Sequence, residues 1–163
     1  MSSALRRFGR GSALALRFLM ALFFTSAAAN KWLAAWIWTD KLQRVFSERL
    51  AEIDPESFGA RFIEGWGIPY FRWFALLVTL GETAIAFGLL AGFMTRGAAL
   101  GAMLMMFCFA MGGYYDASLI VLGLMFLPLI LLPTGHTFGL DRRLHARFPA
   151  SILFRSSSLV TNA

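Results

Sequence analysis

The sequence is poor in the residues from which reactive centres are commonly built: one cysteine, two histidines and nine acidic residues among 163. Cys108 stands alone in an apolar segment, so neither a disulfide framework nor a thiolate metal site can be assembled from it. No Cys-x-x-Cys, HExxH, P-loop or strand-linked GxGxxG pattern occurs, and nothing is arranged as a serine or cysteine triad. His136 and His145 both follow the last apolar run, which leaves no pair to hold a haem across an apolar core. Met103, Met105, Met106 and Met111 make a soft stripe, but with no His or Cys cluster beside it the stripe reads as packing rather than a copper site. The chain thus carries no haem, flavin or metal motif, and a stand-alone enzyme with its own redox centre is not supported.

Charge is scarce too. Only 15% of residues are charged while 58% are hydrophobic. With a mean hydropathy of +0.66 the chain reads as a polytopic membrane protein. In that setting a net charge of +6 is a topology signal. No basic face is interleaved with stacking aromatics, so nucleic acid is not an expected partner.

Apolar runs at 12–29, 71–93, 97–113 and 118–133 are each read as a membrane helix. The expected fold is an all-α integral membrane protein, a four-transmembrane-helix bundle forming a single membrane domain. An outer insertion spans 30–70 and a cytoplasmic tail spans 134–163. Within the insertion, DKLQRVFSERLAEI (40–53) places Leu42, Val45, Phe46, Leu50 and Ile53 on one stripe. That spacing predicts an amphipathic helix lying on the membrane or on a partner, stopped by Asp54-Pro55. Trp32, Trp36, Trp38, Trp66, Tyr70 and Trp73 gather where the insertion meets its spans, as an interfacial aromatic belt does.

Orientation follows from the basic residues. Arg6, Arg7, Arg10, Arg96, Arg142, Arg143, Arg147 and Arg155 fall on one side of a four-span topology with a single acid, Asp141. The five basic residues of the insertion, with Arg72 just after it, are balanced by six acids. The positive-inside rule puts both termini in the cytoplasm. Arg6, Arg7, the run 18–24 and Ala27-Ala28-Ala29 also allow a secretory signal peptide. Cleavage there would leave three spans and move the C-terminal arginines to the wrong side.

Glu82 is the residue most out of place. It sits midway along FRWFALLVTLGETAIAFGLLAGF, a run long enough, at about 33 Å, to cross a bilayer. An ionisable group at that depth costs about 2.5–3.5 kcal/mol on insertion scales, which marks a partner or a task. Arg17 is one candidate partner, although its shallow position also suits snorkelling to the headgroups. Side chains lean toward a helix N-terminus, so Arg17 and Glu82 lean apart. The same rule leans Lys31 and Glu82 toward each other, making Lys31 the better placed cation. A neutral Glu82 bonded to Thr79 or Thr83 is the remaining reading. Thr95-Arg96-Gly97 makes the tight inner turn, read as a positive-inside anchor and candidate motif. The Gly88/Gly92 and Gly97/Gly101 pairs beside it permit close helix contact. Asp116 reads as a solvated cap of the last span.

These features together resemble the DoxX/DoxD family of small four-span membrane proteins. The resembling elements are Leu16-Arg17-Phe18, Lys31, Pro69, Gly81-Glu82, GLLAGFMTRGAAL (88–100) and GHTFGLDRRL (135–144). They cover about residues 14–36 and 66–144. The long insertion and the GE and GLDRRL segments are most similar to the DoxD side, which resembles a membrane subunit of thiosulfate:quinone oxidoreductase. The resemblance implies a bacterial cell membrane, other membrane protein subunits as partners, and quinone as the one cofactor to expect. Glu82, with Lys31 or Arg17, would then line a quinone site or carry its protons. The alternative is a non-catalytic scaffold subunit at the edge of a larger complex. A solute transporter would require an oligomer, since no inverted repeat is visible.

Overall fold

Every regular element among the described residues is helical. The computed structural model describes the backbone of residues 3–114, 116–132 and 134–147, with side chains from residue 11 onward except at 136 and 137. The expected end of the fourth span at Pro133, the tail beyond 147 with Arg155, and the side chains of Arg6, Arg7, Arg10 and His136 lie outside the described residues.

Helix α1 (Ser3–Leu33) turns a stripe of Ala13, Arg17, Met20, Ala21, Phe24 and Ala28 inward. Their three- and four-residue spacing is that of one helix face. After the insertion, α4 (Phe71–Ala91) answers with Ala75, Thr79, Glu82, Ile85, Ala86 and Leu89. Alanines on both stripes let the two helices lie close, and α1 with α4 is the most extensive pair in the fold. Gly92 at φ 62° and Met94 at φ 47° reverse the chain into α5 (Thr95–Met111). The expected third span began two residues later, because Thr95 and Arg96 are already helical.

The expected fourth span is two pieces, α6 (Ala117–Met125) and α7 (Leu127–Leu131), broken at Phe126. Pro128 supplies the reason: it has no N–H to give the preceding turn, and its ring crowds the carbonyl four residues back. Phe126 becomes an anchor at the break, fully buried and edge-on to Phe24 at 5.8 Å. Asp116 caps α6, accepting from the Leu119 amide at 3.0 Å and from the Ser118 hydroxyl. The Ser118 bond, with that of Leu119, holds its carboxyl below the usual range.

The insertion holds α2 (Lys41–Glu52), α3 (Phe58–Phe62) and a π-helical turn, Ile63–Gly67. The apolar stripe of α2 packs on the chain itself, with Leu42 and Phe46 buried and Val45, Leu50 and Ile53 half-buried. Leu42 and Phe46 form a second core with Ile63 and Ala75. Arg49 pins α2 to the end of α5, donating from Nε to the Gly113 carbonyl at 3.1 Å. Helix α1 also runs past its expected end at 29, so Lys31 belongs to the helix and not to the insertion. Short helices α8 (Thr134–Thr137) and α9 (Asp141–Arg147) close the opposite end.

Two helices, at Gly11–Leu33 and Phe71–Ala91, are long and apolar enough to cross a membrane. Helix α5 and the α6–α7 run are apolar but shorter. All four present large apolar residues outward, among them Leu22, Leu77, Phe107 and Val121.

The α4–α5 contact yields a test. A Cβ on Gly88 would meet the Ala98 Cβ at 2.9 Å, whereas one on Gly123 meets nothing within 4 Å. Gly88→Ala should destabilise the protein by about 1–3 kcal/mol through overpacking. Gly123→Ala should be neutral or stabilise by up to about 1 kcal/mol through helix propensity. Thermal melting in mild detergent reads both signs.

Candidate functional site

Glu82 lies on the inward stripe of α4 and is 3% exposed. Because α1 and α4 are antiparallel, the N-terminal lean of their side chains brings Lys31 and Glu82 together at the insertion end. Lys31 Nζ donates to Glu82 Oε1 at 2.8 Å, with the lysine side chain 13% exposed. A second rung stands beside it. Trp32 Nε1 donates to Thr83 Oγ1 at 3.0 Å, and Thr83 Oγ1 donates to the Thr79 carbonyl at 2.7 Å. Ala35, at φ 54°, turns the chain back after α1, and the Trp36 amide donates to the Lys31 carbonyl at 3.1 Å. The Trp36 ring thereby covers the Lys31 ammonium, 4.9 Å from the ring centroid. Glu82 Oε2 and Thr79 Oγ1, one turn apart, are buried and make no hydrogen bond.

Beside this pair lies a cavity of about 780 Å³. Lys31 and Trp36 line one end, and Phe46, Phe74, Val78 and Met105 contribute to its apolar walls. An ammonium has three N–H donors, and Glu82 takes one of Lys31's. The site can therefore offer a charge-assisted hydrogen bond to an oxygen at the edge of an open, largely apolar cleft that Tyr114, Asp116 and Ser118 also border. Among the described residues no three His, Cys, Asp or Glu are grouped to hold a metal ion.

Arg17 is elsewhere. It is fully buried at the opposite end of α1, and its Nη1 donates to the Thr134 carbonyl at 2.9 Å. It neither snorkels nor reaches Glu82; the segment after α7 folds over it and supplies the acceptor. Its guanidinium lies 4.7 Å from the Phe18 ring centroid, and the charge of Asp141 acts on it through space.

Thr95 is engaged by Asp141. One carboxylate oxygen accepts from the Met94 amide at 2.6 Å, and the other from the Thr95 amide at 3.0 Å and hydroxyl at 2.8 Å. Asp141 is thus an N-cap for α5 supplied from 46 residues away. The same segment caps α4: Leu140 and Asp141 amides donate to the Ala91 and Gly92 carbonyls at 3.1 and 2.9 Å. Gly92 and Gly139 make room for it, since a Cβ on either would lie 2.7 Å from the other's Cα. Arg96 lies half-buried in the first turn of α5. The inner turn is therefore part of a structural lock, richer than a simple basic anchor. The sequence did hold a signal for Asp141. Met94 has no side chain that could cap α5, which leaves its first amides open to an acceptor from another segment.

The DoxX family profile matches residues 12–114. The chain belongs to the DoxX family. The DoxX match takes in Arg17, Lys31, Glu82, Thr95 and Arg96 but ends before Asp141. No curated protein and no solved structure matches the chain.

The buried pair of this DoxX protein should behave as a coupled unit. Lys31→Met or Glu82→Leu alone strands a charge and should cost about 3–5 kcal/mol. The double replacement should recover most of that loss. Equilibrium unfolding in detergent gives the coupling energy, and additive single losses would show that the pair does not act together.

Proposed function

We propose that this DoxX protein is a four-span membrane subunit of a quinone-linked oxidoreductase complex, with the quinone in the cavity beside Lys31. Support for four spans comes from the outward apolar residues on α1, α4, α5 and α6–α7. The basic residues at one end and the charge-balanced insertion at the other support cytoplasmic termini in a bacterial cell membrane.

The observation that carries the ligand assignment is the pairing of one cationic donor with an open, largely apolar and aromatic cleft of about 780 Å³. That volume is in the range of small-molecule sites, and the lining fits a flat ring with an apolar tail. A bound quinone supplies two-electron, two-proton redox chemistry. Lys31 holds one quinone oxygen by an N–H. Glu82 keeps the ammonium charged and aimed, and its carboxylate can hold a proton within reach of that N–H. Trp36 covers the ammonium, while Phe46 and Phe74 supply apolar wall. With no redox motif in the chain, the electrons come from a partner subunit.

Lys31–Glu82 also joins α1 to α4, which favours the second reading, a scaffold in which the pair is only a staple. Quinone binding separates the two. Titrating the purified protein with a short-chain quinone should quench tryptophan fluorescence saturably. Loss of one charged hydrogen bond, at about 1.5–3 kcal/mol, should weaken binding roughly ten- to a hundredfold in Lys31→Met and in Lys31→Met/Glu82→Leu. Leu100→Ala, on the outward face, should bind normally. Unchanged affinity in both Lys31 variants would sink the assignment.

Topology is tested separately. In a Cys108→Ala background, Glu56→Cys should react with a membrane-impermeant maleimide on intact spheroplasts, and Ala146→Cys only after lysis. The reverse pattern would invert the orientation, and equal labelling of both would exclude the four-span arrangement.

A further inference from the structure

The end of the bundle formed by the α4–α5 turn and α9 presents charge of one sign. Among the described residues Asp141 is the only acid there, and both its oxygens are turned inward onto Met94 and Thr95, leaving the residue 5% exposed. Its charge is used inside the fold. On α9, Asp141, Leu144 and His145 face inward, whereas Arg142, Arg143, Ala146 and Arg147 are exposed on the other face. Phe138 and Leu140, just before α9, are 68% and 38% exposed. The Phe138 ring rests against Phe18 of α1 at 6.4 Å. A basic face flanked by exposed apolar side chains is therefore fixed at one level of the bundle. Its position is set by the bonds from Leu140 and Asp141 to the last carbonyls of α4.

We propose that Arg142 and Arg143 form a binding surface for the headgroups of anionic phospholipids in the cytoplasmic leaflet. The proposal rests on the membrane reading above but not on the quinone assignment. Guanidinium forks match phosphate oxygens in pairs. The flanking Phe138 and Leu140 suit the boundary between headgroups and acyl chains. That apolar flank, at the depth where α4 and α5 end, favours a lipid over an acidic protein. The insertion differs in carrying as many acids as basic residues around it. Its Arg44 and Arg49 are spent on Asp40 and Glu52, at 2.7 and 2.9 Å.

Native mass spectrometry of the full chain in mild detergent, titrated with phosphatidylglycerol or phosphatidylcholine of the same acyl chains, tests this. The wild type should bind phosphatidylglycerol more tightly. Arg142→Gln/Arg143→Gln should weaken that binding roughly tenfold or more and leave phosphatidylcholine binding and the melting temperature unchanged. Arg142→Lys/Arg143→Lys should retain most of the preference, and Lys41→Gln/Arg44→Gln all of it. Equal affinity of the wild type for the two lipids would overturn the proposal, as would an undiminished preference in the Gln pair. Tighter binding of polyglutamate than of phosphatidylglycerol would also overturn it and point to an acidic protein. Because the impermeant-maleimide pattern reports insertion independently, failure here is distinguishable from failure of the membrane reading.

Discussion

A carboxylate in the middle of an apolar helix must be matched, and matching it fixes how α1 lies on α4. Lys31 reaches Glu82 only in one register of the two antiparallel helices. That register also sets Trp32 against Thr83 and leaves the returning Trp36 over the ammonium. Arg17 is fourteen residues before Lys31, about four helical turns, so both cations lie on the same inward stripe of α1. One is bound at each end of the bundle, and between them Met20, Ala21 and Phe24 meet α4 and Phe126 without a polar interruption. A one-residue rotation of α1 would strand both charges at once. The polar contacts thus choose among packings that the apolar stripe alone would tolerate.

The opposite end obeys a related rule for backbone groups. A sharp reversal between two helices leaves carbonyls of the first and amides of the second without partners, and burial makes that costly. The Gly92–Thr95 turn has no side chain of its own to serve them. Leu140 and Asp141 serve both helix ends, and the same segment presents the Thr134 carbonyl to Arg17. The final described segment is therefore a structural part of the bundle, bonded to α1, α4 and α5. Arg17, the inner turn and the GLD run are one cluster, although they stand far apart in the chain.

Local features of the sequence locate the helices well. The apolar run of α4 begins at the observed residue and ends two residues late, because Gly92 takes a left-handed turn. The apolar run of α1 ends at 29 because Asn30 and Lys31 look like an exit, whereas the helix continues to Leu33: a long amphipathic side chain can stay on a helix and turn back along it. Pro128 marks the break in the last apolar run, but only the buried Phe126 shows why the break sits where it does. Side-chain lean separates Lys31 from Arg17 as the cation that faces Glu82. No local rule reveals that Arg17 takes a carbonyl 117 residues away, or that α2 buries its stripe on its own chain. Both depend on how a distant segment folds back, and periodicity carries no information about that.

A buried ion pair is weak support for stability, since well-packed apolar residues of similar volume often do as well or better. The Lys31–Glu82 pair is not an optimised staple. One carboxylate oxygen makes no hydrogen bond, a neighbouring threonine hydroxyl is equally unbonded, and the lysine borders a cavity instead of closed packing. A site built only to hold α1 against α4 gains nothing from these features, for Phe24, Leu89 and Phe126 already supply apolar adhesion. Of these groups only the lysine lines the cavity, where its remaining N–H donors are the polar capacity that the proposed quinone site uses. The register that the ion pair imposes also places that capacity, so the staple and the proposed quinone site draw on one interaction. A variant that abolishes function by removing Lys31 alone therefore says little about role, and only one that restores neutrality without restoring the N–H can separate adhesion from binding.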